Sequence, residues 1–132
     1  MKKLKLLLPI IILFLTFSAC KYDFILPEEI PVIDPDNPTA EIFGFAEYVL
    51  PIFNNNDNCT SCHKTGGQLP DLTTEKAYSS LNSARYINLS SPELSKIYTH
   101  PLPGTSTHKH KKYTAQEAAI ILAWIKQGAK NN

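Results

Sequence analysis

The clearest chemistry of this chain lies in one short run, Cys59-Thr60-Ser61-Cys62-His63. Two thiols separated by two residues lie on one tight turn, where each can bond a vinyl group of the same porphyrin. The histidine after the second thiol is then held under the iron as its proximal ligand. A C-x-x-C-H run is the attachment signature of c-type haem. The sequence therefore predicts one covalent haem c per chain, bound through Cys59 and Cys62, with His63 on the iron.

The same cysteine pair is compatible with three other kinds of site. A thioredoxin-like redox pair needs a βαβ context, and no such alternation of strand and helix patterns is present in the sequence. A zinc site needs four ligands, of which His108 and His110 could supply two. A structural disulfide between Cys59 and Cys62 is the simplest alternative. Haem is favoured over all three because the N-terminal segment directs the chain to the compartment where c-type haem is attached.

The first 19 residues have the pattern of an export signal. Three lysines precede an apolar run over residues 6–17, which is shorter than the ~20 apolar residues that a membrane span needs. Small residues then lead to Cys20 in a pattern that resembles a bacterial lipobox, although Phe17 stands where that family usually has leucine. The resemblance implies that residues 1–19 are removed and that Cys20 becomes the lipidated first residue. An uncleaved anchor or an ordinary signal peptide is the alternative.

The net charge and the predicted lipid indicate which classes of partner this protein binds. Loss of the signal peptide would lower the number of basic residues from 13 to ten, against 12 acidic ones. This balance gives no indication of nucleic-acid binding. We expect attachment to a membrane through the lipid and exchange with a redox protein that the sequence does not identify. The basic run at residues 108–112 is a solvated loop or a docking patch for an acidic redox partner.

The chain divides into three segments: a signal peptide at 1–19, a lipidated tether at 20–37 and a domain at 38–132. Prolines and acidic residues in the tether predict a stiff, extended segment with little ability to form a core. In the domain, Asn37 and Pro38 predict the start of a first helix. Its apolar stripe is expected to comprise Ile42, Phe45, Ala46, Val49 and Phe53, and Pro51 should kink or end it.

Further helices are predicted after the haem motif. A short helix is expected at residues 74–81, and a second should begin at Ser91 with a buried face of Leu94, Ile97 and Tyr98. The last helix has a capping box, Thr114-x-x-Glu117, and Gly128 at its C-terminal cap. Its apolar stripe should comprise Ala118, Ile121, Leu122 and Ile125, with Trp124 beside it. The sequence thus predicts an all-α domain of about four short helices around one haem.

With these features in place, residues 40–132 resemble the small single-haem cytochrome c-like domains of bacterial envelope lipoproteins. Besides the haem motif, the resemblance rests on Pro51-Ile52-Phe53, Leu69-Pro70-Asp71-Leu72, Ser91-Pro92-Glu93-Leu94-Ser95 and Trp124-Ile125-Lys126-Gln127-Gly128-Ala129. It implies a cytochrome c fold, in which the first helix leads to the haem motif and crosses the last helix. It also implies electron transfer in the cell envelope. Lys21 is not the aspartate that signals inner-membrane retention, which favours the outer membrane, on its periplasmic or surface face.

The sixth iron ligand departs from the common pattern. Many cytochromes c use a methionine, but the only methionine here is Met1. The candidates are the three histidines outside the haem motif, with His108 and His110 favoured over His100 because they lie in the stretch before the last helix. Two such imidazoles predict a low-potential electron carrier rather than an enzyme. An open sixth position would instead predict a haem peroxidase or a protein that binds peroxide or small gases.

Overall fold

The computed structural model describes residues 41–132. The predicted signal peptide, Cys20, the tether and the cap at Asn37 lie outside these residues. Four α-helices are present: α1 (Leu50–Asn54), α2 (Ala77–Leu81), α3 (Lys96–Thr99) and α4 (Ala115–Lys126). A π-helical turn (Phe45–Val49) precedes α1, and 3₁₀ turns lie at Asn55–Asp57 and Pro92–Leu94. Over the described range no strand occurs, which confirms the predicted all-α fold of about four helices. No helix of this range is long and apolar enough to cross a membrane.

The core forms where the first helical segment packs against α4. Val49 and Phe53 on the first segment and Ile121 on α4 have no exposed surface. The ring of Phe45 lies 5.3 Å from that of Trp124 and 5.2 Å from that of Tyr78, which joins α2 to the same cluster. Backbone contacts close the arrangement, because Ala46 N–H donates to the Asn132 carbonyl at 3.0 Å. The haem motif, which follows α1 directly, is thereby fixed to the most buried part of the domain.

The first helix differs from the prediction at its start. Residues 41–44 are not helical, Ile42 is 70% exposed and Ala46 is also exposed, so both were wrongly placed on the buried stripe. The chain becomes helical only after Gly44, which is extended, and the Leu50 N–H then donates to the Phe45 carbonyl five residues back. This wider turn changes which side chains face the core. Pro51 does not end the helix, because it occupies the first turn of α1, where an N–H is not required.

The helix predicted after Ser91 is interrupted. Ser95 is extended (φ −61°, ψ 129°) and separates the Pro92–Leu94 turn from α3. Its side chain is buried, and its hydroxyl accepts a hydrogen bond from the Asn88 N–H at 2.9 Å. The break turns Leu94 outward, where it is 69% exposed, so its predicted burial is wrong. Ile97 is buried as expected.

The predicted ends of α4 are confirmed. The Thr114 hydroxyl accepts from the Glu117 N–H at 3.1 Å, and the Glu117 carboxylate accepts from the Thr114 N–H at 2.7 Å. At the other end Gly128 has a φ of +95°, and the two N–H groups after Gln127 return to carbonyls of the last turn. Most of the predicted apolar stripe is buried, but Leu122 is only half-buried and Ala123 takes its place in the core.

Candidate haem site

The haem motif forms a compact turn directly after α1. Asn56 and Asp57 have φ values of 54° and 53°, a left-handed conformation that Asn and Asp tolerate better than most residues. This reversal lets the Cys59 N–H donate to the Phe53 carbonyl at 2.9 Å, and the His63 N–H donates to the Cys59 carbonyl at 2.8 Å. This turn holds the motif against the end of α1.

Both cysteines of the motif are free thiols, so the alternative of a Cys59–Cys62 disulfide is not formed. Cys59 is half-buried and Cys62 is exposed. Burial raises the pKa of the Cys59 thiol to about 11, so it is protonated at neutral pH. Two thiols on one turn, both available for a covalent bond, are what thioether attachment to a porphyrin requires.

One nitrogen of His63 is occupied by the backbone. Its Nδ1 lies 3.1 Å from the carbonyl oxygen of Pro70. Because a carbonyl oxygen only accepts, Nδ1 carries the hydrogen of this bond, and Nε2 is then the nitrogen with the lone pair in the neutral ring. An imidazole that donates from one nitrogen to a carbonyl has its other nitrogen oriented and made more basic for a metal. The contact with Pro70 is therefore compatible with the predicted role of His63 as an iron ligand.

Asp71 holds the loop that presents the Pro70 carbonyl. The Asp71 carboxylate accepts from the Thr65 hydroxyl at 2.7 Å, and from the Thr73 N–H and hydroxyl at 3.1 and 2.6 Å. These hydrogen bonds keep the pKa of the Asp71 carboxyl below its usual value, and the bond from the Thr73 hydroxyl has the largest effect. The backbone closes the same loop, because the Leu72 N–H donates to the His63 carbonyl at 2.9 Å.

Of the three candidate distal histidines, the structure brings His108 to the haem motif. The ring centroids of His108 and His63 are 6.0 Å apart, and their planes are inclined by 19°. Two metal–imidazole bonds of ~2 Å each, together with the radii of two rings, span about the same distance. His110 and His100 are both exposed.

His108 also has the electrostatic character of a metal ligand. Its Nδ1 is buried and has no hydrogen-bond partner within residues 41–132. Burial, followed by the charge of His63, lowers the pKa of His108. The neutral form, the only one that binds a metal, is therefore favoured near neutral pH. Two near-parallel imidazoles whose centroids are 6.0 Å apart are the feature of this site that fits a haem iron best.

Two clefts meet at this histidine pair. The first has an empty volume of about 770 Å³, including its open mouth, and the second about 980 Å³. Cys59, His63, His108 and Lys111 line both clefts, whereas Cys62 lines only the second. The first cleft has apolar walls from Leu72 and Ile97, and neither cleft has an Asp or Glu in its lining of described residues. Such a space suits a flat, apolar and anionic group.

The zinc alternative does not fit the structure. Within residues 41–132 no three side chains among His, Cys, Asp and Glu are grouped so as to hold a metal ion. A structural zinc needs four such ligands. A haem iron needs protein ligands only on its two axial positions, because the porphyrin supplies the rest. The pair of His63 and His108 meets that smaller requirement.

Sequence reasoning missed several groups of this site. The Pro70 carbonyl was not predicted, because a backbone acceptor has no residue signature. The Leu69–Leu72 run was cited only for its resemblance, although a proline soon after the haem motif was the available signal. The cations of the first cleft, Arg85, Lys96 and Lys111, carry no motif and come together only through folding.

Comparison with known proteins agrees with this geometry. A family model described as cytochrome c matches residues 51–129, which include the haem motif, the Pro70 loop, His108 and α4. No curated protein and no solved structure gives a significant match. Because the family model covers more than half of the chain, the chain belongs to the cytochrome c family.

Proposed function

We propose that this chain is an electron carrier of the bacterial cell envelope, with one haem c bound through Cys59 and Cys62 and axially held by His63 and His108. The observation that carries the proposal is the half-buried His108 imidazole, whose ring lies 6.0 Å from that of His63 and whose Nδ1 is buried without a hydrogen-bond partner within residues 41–132. When bound, the haem iron supplies a one-electron redox centre.

The roles of the protein side chains follow from their contacts. The Pro70 carbonyl accepts from His63 Nδ1 and so fixes the orientation of the proximal ring. Burial lowers the pKa of His108 and so favours its neutral form. Leu72 and Ile97 give the cleft apolar walls that limit the access of water. With both axial positions taken by imidazoles, the potential should be lower than with a methionine ligand.

His108 is a better ligand candidate than its neighbours. His110 lines only the second cleft and is exposed, and His100 is exposed at the first cleft. A solvent-facing imidazole must lose hydration and rotational freedom before it binds. The His108 ring already lies beside His63, so less of that cost remains.

The competing function is a peroxidase or a protein that binds small gases, which needs an open sixth position. Arg85 is the only arginine of the chain and lines the same cleft as His63. It is exposed, however, and His108 occupies the space across from the proximal ring. These positions support the electron carrier over the enzyme.

A pair of matched variants tests the ligand assignment. In the wild-type ferric protein at neutral pH we expect a low-spin spectrum. His108→Ala should give a high-spin haem that binds carbon monoxide readily after reduction, whereas His110→Ala should leave the spectrum unchanged. A wild-type haem that is already high-spin and reacts rapidly with peroxide would favour the enzyme instead.

Covalent attachment and anchoring need separate tests. Replacing both Cys59 and Cys62 with alanine should abolish haem staining in denaturing gels, and staining that persists would contradict the attachment. Lipidation at Cys20 is supported by the sequence pattern alone. Labelling with a radioactive fatty acid should mark the wild-type protein but not Cys20→Ala, and membrane fractionation should place the labelled protein in the outer membrane.

A further inference from the structure

We propose that Arg85 and Lys96 form a carboxylate-binding site at the mouth of the first cleft, and that its ligands are the haem propionates. This inference rests on the proposed haem. It assigns residues to the propionate groups of the haem, which the two histidine ligands do not contact. Both side chains line the first cleft and neither lines the second.

The backbone brings the two cations together from separate segments. The Ile97 N–H donates to the Tyr86 carbonyl at 3.2 Å, which sets the residues after Arg85 beside those after Lys96. The Asn88 N–H donates to the buried Ser95 hydroxyl at 2.9 Å and fixes the same pairing. The Arg85 guanidinium also lies over the Tyr86 ring, 5.5 Å from its centroid. Folding therefore brings together the two segments that carry these charges, and both side chains line the same cleft.

Neither cation has an acidic partner in the described part of the chain. The ion pairs found there involve Lys76, Lys111 and Lys126, and no Asp or Glu lines the first cleft. Arginine and lysine both suit carboxylates, and the planar arginine fork can bind one through two parallel hydrogen bonds. Two unpaired cations at an acid-free cleft are suited to an anion with more than one carboxylate.

The chemistry of the haem places its carboxylates at this end. In haem c the two vinyl carbons bonded to cysteine lie on one edge of the macrocycle, and the two propionates lie on the opposite edge. Cys62 lines only the second cleft and Cys59 lines both, whereas Arg85 and Lys96 line only the first. Leu69, which is 67% exposed, lines the first cleft as well and offers an apolar surface for the porphyrin between its two edges.

Two properties of the holoprotein would respond to this site. Resonance Raman spectroscopy detects a propionate bending band whose frequency rises with the hydrogen bonds that the carboxylate accepts. The midpoint potential depends on nearby charge, because the ferric haem carries one more positive charge than the ferrous one, and a neighbouring cation favours reduction. Loss of a propionate-binding cation should therefore lower both the band frequency and the potential.

The experiment compares Arg85→Gln, Arg85→Lys and Lys96→Gln with the control Lys130→Gln, a loss of one exposed charge outside both clefts. All three positions are exposed, so each of the four variants should fold. We expect both readouts to fall in Arg85→Gln and Lys96→Gln and to stay unchanged in the control. Arg85→Lys should retain the potential more fully than the band frequency, because it keeps the charge and loses the fork.

Unchanged band frequencies in Arg85→Gln and Lys96→Gln, with a low-spin haem retained, would overturn this inference alone. A fall in potential in Lys130→Gln equal to that in Arg85→Gln would also overturn it, because general charge would then explain the effect. A wild-type protein without covalent haem would overturn the proposed function, and this inference with it.

Discussion

Replacement of Tyr113 by phenylalanine should destabilise the domain, because one backbone carbonyl group would lose its hydrogen-bond donor. The Tyr113 hydroxyl is buried and donates to the Ile97 carbonyl at 2.9 Å. Ile97 lies in α3, and the residue four positions later, which would normally donate to that carbonyl, is Pro101 and has no N–H. Tyr113 also donates its own N–H to the Pro101 carbonyl at 2.9 Å. It therefore closes the end of α3 and one end of the loop that carries His108.

The expected magnitude follows from leaving this carbonyl without a partner. An average hydrogen bond contributes about 1 kcal/mol net, and a buried acceptor left unsatisfied costs about 1–3 kcal/mol. For a domain of this size, each kcal/mol lowers the melting temperature by roughly 4–8 °C. We therefore expect Tyr113→Phe to melt at least about 4 °C below the wild type.

The assay is thermal unfolding of the ferric holoprotein, followed by far-ultraviolet circular dichroism and by the Soret band. Tyr98→Phe is the matched control, because Tyr98 is also partly buried and its hydroxyl makes no hydrogen bond within residues 41–132. If Tyr113→Phe lowers the melting temperature no more than Tyr98→Phe does, the Ile97 carbonyl does not depend on Tyr113 and the reasoning is refuted.

The same residue predicts a pH dependence. Burial raises the pKa of Tyr113 well above its ordinary value. A raised pKa means that the folded state holds the proton more tightly, so the stability is present below about pH 10 and is lost as the pH rises further. Tyr113→Phe lacks this proton, so the gap between the two melting temperatures should narrow at alkaline pH. A gap independent of pH would show that the hydroxyl is not buried.

Three further predictions concern the loop and the helix that frame the site. Asp71→Asn should remove stability that the wild type has above about pH 4 and loses in more acidic solution. The reason is that the lowered pKa of the Asp71 carboxyl shows that folding favours its ionised form. If acid unfolding curves of the two proteins, followed by circular dichroism, coincide, this prediction is wrong. Thr114→Ala should cost about 1 kcal/mol in denaturant unfolding, because it removes the capping box of α4. Gly67→Ala should reduce haem incorporation, measured by pyridine haemochrome, more than Gly104→Ala does. A Cβ at residue 67 would clash with the Cys62 carbonyl oxygen, whereas one at Gly104 meets nothing within 4 Å and is strained only by the backbone φ of +79°.

The sequence by itself determined the features that depend on neighbouring residues. The haem motif needs two thiols and an imidazole within five residues, and the capping box joins groups three residues apart. Backbone hydrogen bonds of one turn fix such contacts in any fold. The turn at Asn56 and Asp57 and the C-terminal cap at Gly128 were predictable for the same reason, since each depends on the local preference for a left-handed backbone.

Apolar spacing was less reliable. A regular period of 3.6 residues placed Ile42, Ala46 and Leu94 in the core, and all three are exposed. The wider turn at Leu50 and the extended Ser95 shift the faces of the two helices, and neither departure has a clear signature in the spacing of apolar residues.

Only the tertiary structure decided which distant groups share the site. His108 and His110 are two residues apart and equivalent in sequence, yet only His108 lies beside His63. The Pro70 carbonyl, the Tyr113 hydroxyl and the side chains of Arg85 and Lys96 are likewise brought in by contacts between segments. Such contacts depend on how loops close against a core, and the energy that selects one closure is spread over many buried side chains. No short stretch of sequence therefore contains it.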